Sequence, residues 1–137
     1  MTHLLDTHAW IQRACGEVVP PLVRRTLAAH VDSLALADIS LWEAAKLVEL
    51  GRLQLSVPLA EFFRLAITPE LAVLPVTPAI AERVTSLESS GFHKDPADQL
   101  IVATALVHGL RLISNDTRIH QWAGVPLLWR TSRDSRS

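Results

Sequence analysis

Short apolar runs alternate with longer segments of helical spacing along this chain, and that alternation narrows the folds available to it. The apolar runs fall at residues 2–5, 34–37, 73–76, 111–114 and 125–129, and each has the length of a buried strand. Parallel strands are joined by crossover helices, so strands separated by helices favour parallel pairing. We therefore predict an α/β fold with a mainly parallel sheet covered by helices.

The segments between these runs carry the signals of helix ends. Prolines at Pro20–Pro21 and after Thr77 are typical of helix starts, and Gly51 and Gly109 are typical of helix stops. Helices are predicted at about 7–14, from 20 onward, and at 40–50, 58–66, 77–88 and 95–108.

Length and charge limit the organisation and the partners. The 137 residues are predicted to form a single domain over residues 1–129, followed by a polar C-terminal tail at 130–137. The formal net charge of −1 gives no overall attraction to nucleic acid. A nucleic-acid partner would therefore have to be held by local basic residues and by a metal ion.

The redox and targeting signals favour a cytoplasmic protein. Cys15 is the single cysteine, which excludes a disulfide framework, and it is predicted to pack rather than to react. No apolar stretch of about 18 residues occurs, so no membrane span is predicted. The N-terminus also lacks the basic segment and long apolar stretch of a signal peptide.

Four acidic residues lie where an apolar run ends or a helix begins. Asp6 and Asp116 follow predicted strands, and ligands in parallel sheets bind beyond the carboxyl ends of the strands. Glu43 lies at the start of one predicted helix, and Asp98 precedes an almost wholly apolar one. If these carboxylates meet at one edge of the sheet, they repel each other unless a cation binds between them. The pattern predicts a divalent metal ion and, through it, phosphate chemistry.

Each acid also fits a structural role. Asp6 and Asp95 can cap the helices that follow them, and Asp116 can close a turn. The sequence Ser40-x-x-Glu43 matches a capping box, and Asp98 in a first helical turn is favoured by the helix dipole. For any single acid the structural role is the better explanation, but the set of four is harder to explain that way.

Four motifs in order give the chain a resemblance to a known family. They are Leu4-Leu5-Asp6-Thr7-His8, Ser40-Leu41-Trp42-Glu43, the segment from His93 to Ala105, and Leu112-Ile113-Ser114-Asn115-Asp116. The chain resembles the PIN-domain family over residues 3–129, and within it the VapC-type toxins of bacterial toxin–antitoxin pairs. The last motif has serine where the family has threonine, which keeps the hydroxyl. The resemblance implies a three-layer α/β/α sandwich with a central, mainly parallel sheet of four to five short strands.

The resemblance also implies roles for individual residues. Asp6, Glu43 and Asp98 would be the main catalytic and metal-binding acids, with Asp116 as a fourth that often acts through water. Asp95 is a possible additional acid, or only the cap of its helix. Three hydroxyl residues would orient the carboxylates or waters: Thr7, Ser40 and Ser114.

The implied activity is that of an endoribonuclease toxin that depends on Mg²⁺ or Mn²⁺. A metal-activated water would cleave tRNA, rRNA or mRNA and leave a 5′-phosphate and a 3′-hydroxyl. The implied partners are a cognate antitoxin and a second copy of the chain. Apolar residues on the helix after Pro58 are expected to face a partner in part, since so small a core cannot cover all of them: Leu59, Phe62, Phe63 and Leu65.

Other contacts with a substrate are harder to assign. Arg13 and Lys46 lie one or two helical turns from predicted acids and are candidates for phosphate contacts. Trp42 and Trp129 could stack on bases, but the core is the better prediction for both. The six histidines show no spacing typical of a metal site.

Three other functions compete with this one. A non-catalytic PIN-like module that binds RNA or protein would be marked by loss of acids, and all four are kept. A DNA-directed nuclease of the same chemistry stays open. A receiver-like phosphoacceptor would need a lysine at a strand end, and neither Lys46 nor Lys94 follows a strand.

Overall fold

Five short parallel strands form the centre of the computed structural model, which describes residues 1–129. The strands are β1 (His3–Leu5), β2 (Leu34–Ala37), β3 (Ala72–Leu74), β4 (Arg111–Ile113) and β5 (Leu127–Leu128). They form one sheet in the order β3-β2-β1-β4-β5, and every neighbouring pair is parallel. The predicted α/β fold with a parallel sheet is therefore confirmed. The predicted polar tail at 130–137 lies outside the described residues.

Within residues 1–129, seven α-helices connect and cover the strands. They are α1 (Thr7–Ala14), α2 (Pro21–Ala29), α3 (Ile39–Glu49), α4 (Leu59–Ala66), α5 (Pro78–Val84), α6 (Pro96–His108) and α7 (Thr117–Trp122). Six of them were predicted. The seventh, α7, was missed because the structural role considered for Asp116 was to close a turn, whereas its side chain caps this short helix. None of the helices within residues 1–129 has the length and apolar character needed to cross a membrane.

Neighbouring residues of each strand point to opposite faces of the sheet and enter two separate cores. On one face Leu4, Ala35 and Leu112 pack with residues of α5 and α6. On the other face Leu5 and Ile113 pack with residues of α1, α2 and α4. The result is the predicted three-layer α/β/α sandwich, in which β1 and β2 are buried on both faces.

Helix α6 fixes Asp98, one of the predicted acids, close to the core. Asp95 is its N-cap and accepts a hydrogen bond of 3.0 Å from the backbone N–H of Asp98, and Pro96 takes the first helical position. Gly109 ends the helix with φ of 66°, a left-handed conformation that suits glycine. Seven of the thirteen residues are buried, so the first turn with Asp98 has little freedom to move.

The capping box predicted at Ser40-x-x-Glu43 is wrong. Helix α3 begins one residue earlier, at Ile39, and its N-cap Asp38 makes no side-chain capping bond. Ser40 lies inside the helix, and its fully buried side chain faces Thr7 of α1. Packing between the two helices thus takes the place of the local cap.

Three side chains lie elsewhere than predicted. Cys15 is exposed after the end of α1, although it was predicted to pack. Trp42 is 54% exposed rather than buried, because Ser40 and Ala44 take the inner face of α3 and residue 42 is about 200° round the helix from Ser40. Phe62 is buried in the core against Trp10, and within its apolar segment Leu65 is the exposed residue. Trp129 is buried, as predicted.

The capping role of Asp95 leads to a stability prediction. Asp95→Ala should lower the free energy of unfolding by about 1 kcal/mol, because the N–H of Asp98 loses its acceptor. Asp95→Ser should retain most of that stability and much of any activity, since serine also caps. Urea denaturation of the three proteins measures the difference. Equal stability of the Ala and Ser variants would contradict the capping role.

Candidate active site

The candidate site lies where the chain leaves β1 and β4, the neighbouring central strands. From β1 the sheet continues to β2, and from β4 it continues to β5 on the opposite side. Connections that diverge in this way open a crevice at the carboxyl ends of the two strands, the usual ligand position in open α/β sheets. Asp6 directly follows β1, and Ser114 directly follows β4.

Asp6 is held at the floor of this crevice. Its backbone N–H donates to the carbonyl of Ile113, and its side chain caps α1 by accepting a 2.7 Å bond from the N–H of Ala9. The side chain is 6% exposed. Burial raises the pKa of Asp6 to about 6, with a further contribution from Asp98, and bonds from Ser114 and Ala9 oppose that rise.

Two hydroxyls hold the side chain of Glu43 against the start of α1. Thr7 follows Asp6, and its Oγ1 lies 2.5 Å from Glu43 Oε1 and 2.8 Å from Ser40 Oγ. A hydroxyl has one proton, so Thr7 donates it to the carboxylate, while the Ser40 hydroxyl can donate to Thr7. Both hydroxyl residues are buried and orient Glu43 from α3 toward the crevice. Burial raises the pKa of Glu43, and repulsion from Asp98 and Asp95 adds to the effect.

Asp98 enters the crevice from the first turn of α6 and has two partners. Its Oδ2 lies 2.7 Å from Nε2 of His93 and 3.1 Å from a guanidinium nitrogen of Arg118. Despite these partners the pKa of Asp98 is raised, because burial and the charges of Asp95 and Asp116 outweigh the bond to His93. Gln99 supports His93 by donating to its backbone carbonyl at 3.2 Å.

Asp116 completes the group at the start of α7. It accepts bonds from the backbone N–H of Arg118 at 2.8 Å and of Ile119 at 3.4 Å, and Ser114 Oγ accepts from its own N–H at 3.1 Å. Burial acts to raise the pKa of Asp116, but hydrogen bonds and charge from Arg118 outweigh it, so the pKa lies below its usual value. Asp116 is thus a carboxylate that stays charged.

The structure therefore brings all four predicted acids to one crevice. Repulsion from Asp98 raises the pKa of both Asp6 and Glu43, so the charges of the three acids act on one another. The carboxylates nonetheless do not form a complete metal-binding site. Within residues 1–129, no three His, Cys, Asp or Glu side chains stand close enough together to hold a metal ion.

The two basic residues predicted to contact phosphate differ in position. Lys46 lies one turn after Trp42 on α3, pairs with Glu49 at 2.9 Å, and lines a cavity of about 200 Å³ together with Glu43 and Asp95. Arg13 lies at the opposite end of α1 from Asp6, beside a different cavity of about 400 Å³. Lys46 is therefore near the acids, and Arg13 is about 10 Å along the helix from them.

Two residues in contact with the acids were missed from the sequence. His93 and Arg118 both bind Asp98, yet the histidines were set aside for lack of metal-like spacing and Arg118 was not considered. Each lies within five residues of a predicted acid, which is a weak signal. A stronger signal is that Arg118 lies in the first helical turn after Asp116, the residue that caps α7. This signal could be used only if α7 had been predicted.

Known proteins share this arrangement of elements. The PIN domain family matches residues 3–125. Ribonuclease VapC22 of Mycobacterium tuberculosis is 36% identical over 118 residues, which are 86% of this chain and 89% of that protein.

Three solved structures contain a chain of the same fold. They are DNA-bound VapBC from Salmonella typhimurium (TM-score 0.70, 18% identity, 93% of this chain and 97% of that chain covered), FitAcB from Neisseria gonorrhoeae (0.69, 24%, 93% and 96%) and a toxin–antitoxin complex from Klebsiella pneumoniae (0.66, 22%, 93% and 96%). At these identities the likeness shows the fold alone. Because the family match spans most of the chain and VapC22 is similar over nearly its whole length, the predicted membership is confirmed: this chain belongs to the PIN-domain family.

Proposed function

We propose that this chain is the toxin of a toxin–antitoxin pair and acts as an endoribonuclease that hydrolyses RNA phosphodiesters with Mg²⁺ or Mn²⁺. One observation carries the proposal. Four carboxylates from separate elements line the crevice at the switch point of the sheet, in a chain that is 36% identical to Ribonuclease VapC22. The cytoplasm, where such an RNA substrate is found, also suits the single free cysteine.

The donor chemistry of the site fits a hard divalent cation. All the candidate ligands are carboxylate oxygens, which Mg²⁺ and Mn²⁺ prefer. Burial raises the pKa of Asp6, Glu43 and Asp98, so a cation bound among these three carboxyl groups would favour their charged forms. We assign these three and Asp116 as the residues that would hold the ion, after Asp98 exchanges its contact with Arg118.

When bound, the ion supplies a water of lowered pKa and offsets the charge that builds up on the phosphate. The chain supplies position. Ser40 and Thr7 hold the Glu43 carboxylate in one orientation, and Ser114 does the same for Asp6. His93 fixes one oxygen of Asp98. Asp95 remains a helix cap in this scheme. Lys46, which lines a cavity together with Glu43, would contact the RNA backbone.

The partners in this proposal are an antitoxin and a second copy of the chain. Support comes from the exposed apolar side chains, which include Leu22 on α2, Leu65 on α4 and Leu50 directly after α3. An antitoxin would cover such a surface and would reduce cleavage either by closing the crevice or by neutralising its acids.

The test of the activity is a cleavage assay with and without a divalent metal. Purified protein should cut tRNA, rRNA or a single-stranded RNA in Mg²⁺ or Mn²⁺, and should lose that activity in EDTA. Single-stranded DNA is assayed in parallel. Cleavage of DNA alone would favour the DNA-directed nuclease, and binding of RNA without cleavage would favour the non-catalytic module.

Asp98→Asn tests the acid site. The cleavage rate should fall by at least about 100-fold. Mutation of a residue that only hydrogen-bonds a metal ligand usually lowers activity by less, about 10- to 100-fold. The free energy of unfolding should stay level or rise, because the raised pKa of Asp98 shows that the fold disfavours its charge. The matched control is Asp32→Asn, which changes an exposed acid outside the crevice and should leave cleavage unchanged. Normal cleavage by the Asp98 variant in Mg²⁺ would contradict the assignment.

Leu65→Arg tests the partner surface. Leu65 is 55% exposed on α4, so a charge there should weaken association with a partner while the isolated nuclease keeps its rate. Phe62 is unsuitable for this test because it is part of the core. Size-exclusion chromatography with light scattering, with and without a co-expressed neighbouring small protein, measures the association. Val18→Arg, at another exposed apolar position, is the control. A strictly monomeric wild type that binds no such protein would count against the toxin role and not against the nuclease chemistry.

A further inference from the structure

Arg118 is a cation that already lies among the acids. One of its guanidinium nitrogens is 3.1 Å from Asp98 Oδ2 and 3.4 Å from Asp116 Oδ2, so a single side chain bridges α6 and α7. Positive charge from Arg118 is one reason why Asp116 remains ionised beside another carboxylate. The bridge occupies the two acids that any bound cation would also need.

The side chain is fixed at its base and free at its head. The backbone N–H of Arg118 donates to Asp116 Oδ1 at 2.8 Å, in the first turn of α7. The side chain itself is 54% exposed, whereas that of Asp98 is only 15% exposed. The guanidinium can therefore leave the carboxylates by rotation of its own bonds, without any movement of the helices.

We propose that Arg118 is an exchangeable counterion, which neutralises Asp98 and Asp116 in the metal-free protein and binds the scissile phosphate once a divalent metal has displaced it. The phosphate half of this role rests on the nuclease function proposed above. The counterion half concerns metal binding alone.

The chemistry of arginine suits both states. Its planar guanidinium has five N–H donors and no acceptor, so it binds paired oxygens, whether they belong to two carboxylates or to one phosphate. It keeps its charge at any working pH, so the exchange needs no proton transfer. Once a metal ion has neutralised the carboxylates, they attract Arg118 less strongly. The negatively charged phosphate oxygens of a bound RNA would then be its partner.

The proposal predicts two opposite effects of Arg118→Ala. Titration of metal-free protein with Mn²⁺ by calorimetry should show affinity about three- to tenfold higher than wild type, because the ion no longer competes with a partly exposed cation. With Mn²⁺ at saturation, kcat/KM for RNA should instead fall by at least about tenfold, because the phosphate loses a charged donor. A merely structural residue would not improve metal affinity while impairing cleavage.

Thermal unfolding in EDTA and in Mn²⁺ gives a second measurement. The metal-free variant should melt at a lower temperature than wild type, because its acids have lost their counterion. Mn²⁺ should stabilise the variant by more than it stabilises wild type, since tighter binding to the folded state raises Tm further. Far-UV circular dichroism establishes that the variant is folded.

Two further variants make the comparison specific. Arg118→Lys keeps the charge but lacks the planar fork, so its Mn²⁺ affinity and its kcat/KM should lie between those of wild type and the Ala variant. Arg64→Ala removes an arginine that pairs with Glu61 on α4, outside the crevice, and changes the net charge equally. It should leave Mn²⁺ affinity and kcat/KM unchanged.

The outcomes separate the two proposals. Unchanged or weaker Mn²⁺ binding by Arg118→Ala overturns the counterion role. Unchanged kcat/KM in that variant, with a wild type that cleaves RNA, overturns the phosphate role. If the wild type cleaves no RNA, the proposed function fails together with the phosphate role, while tighter Mn²⁺ binding by the variant still supports the exchange of Arg118 with metal.

Discussion

The parallel pairing of β1 with β4 is the interaction on which the rest of this structure depends. It joins residues that are more than a hundred positions apart, with His3 opposite Arg111 and Leu5 opposite Ile113. Both strands lie in the middle of the sheet and are packed on both faces, so the pairing is fixed by the two cores rather than by local turns. Its direct consequence is that the residues leaving the two strands, Asp6 and Ser114, come side by side, where Ser114 acts to lower the pKa of Asp6.

That arrangement concentrates negative charge in a place where water is scarce. Burial is the largest influence on the pKa of Asp6, Glu43 and Asp98, and it acts in each case against the charged form. The fold offsets this cost with hydroxyl groups, helix N–H groups, His93 and Arg118. Perturbed carboxylates in a crevice at a switch point are a mark of function rather than of stability alone. In the function we propose, this site is the part of the PIN architecture that carries out the nuclease chemistry.

Capping a helix and taking part in the candidate site are compatible roles for the same acid. Asp6, Asp95 and Asp116 all cap helices, as a purely structural interpretation of the sequence predicts. Capping uses one carboxylate oxygen in each case, and it also fixes the side chain at the helix N-terminus, where the second oxygen can face the crevice. The exception is Glu43, whose predicted capping box is replaced by a bond from Thr7 on another helix. Capping therefore does not argue against a functional role for these residues.

The sequence by itself determined the fold class, the five strands, six of the seven helices and the acids that would share a crevice, because apolar periodicity and helix caps are local signals. It failed where a side chain's environment depends on another element. The exposure of Trp42 follows from which face of α3 packs on α1, and the contacts of His93 and Arg118 follow from the meeting of α6 with α7. Tertiary structure also decided that the acids stand too far apart to form a ready-made metal site. These acids come from four elements, and the distances between them are fixed only when both cores are packed.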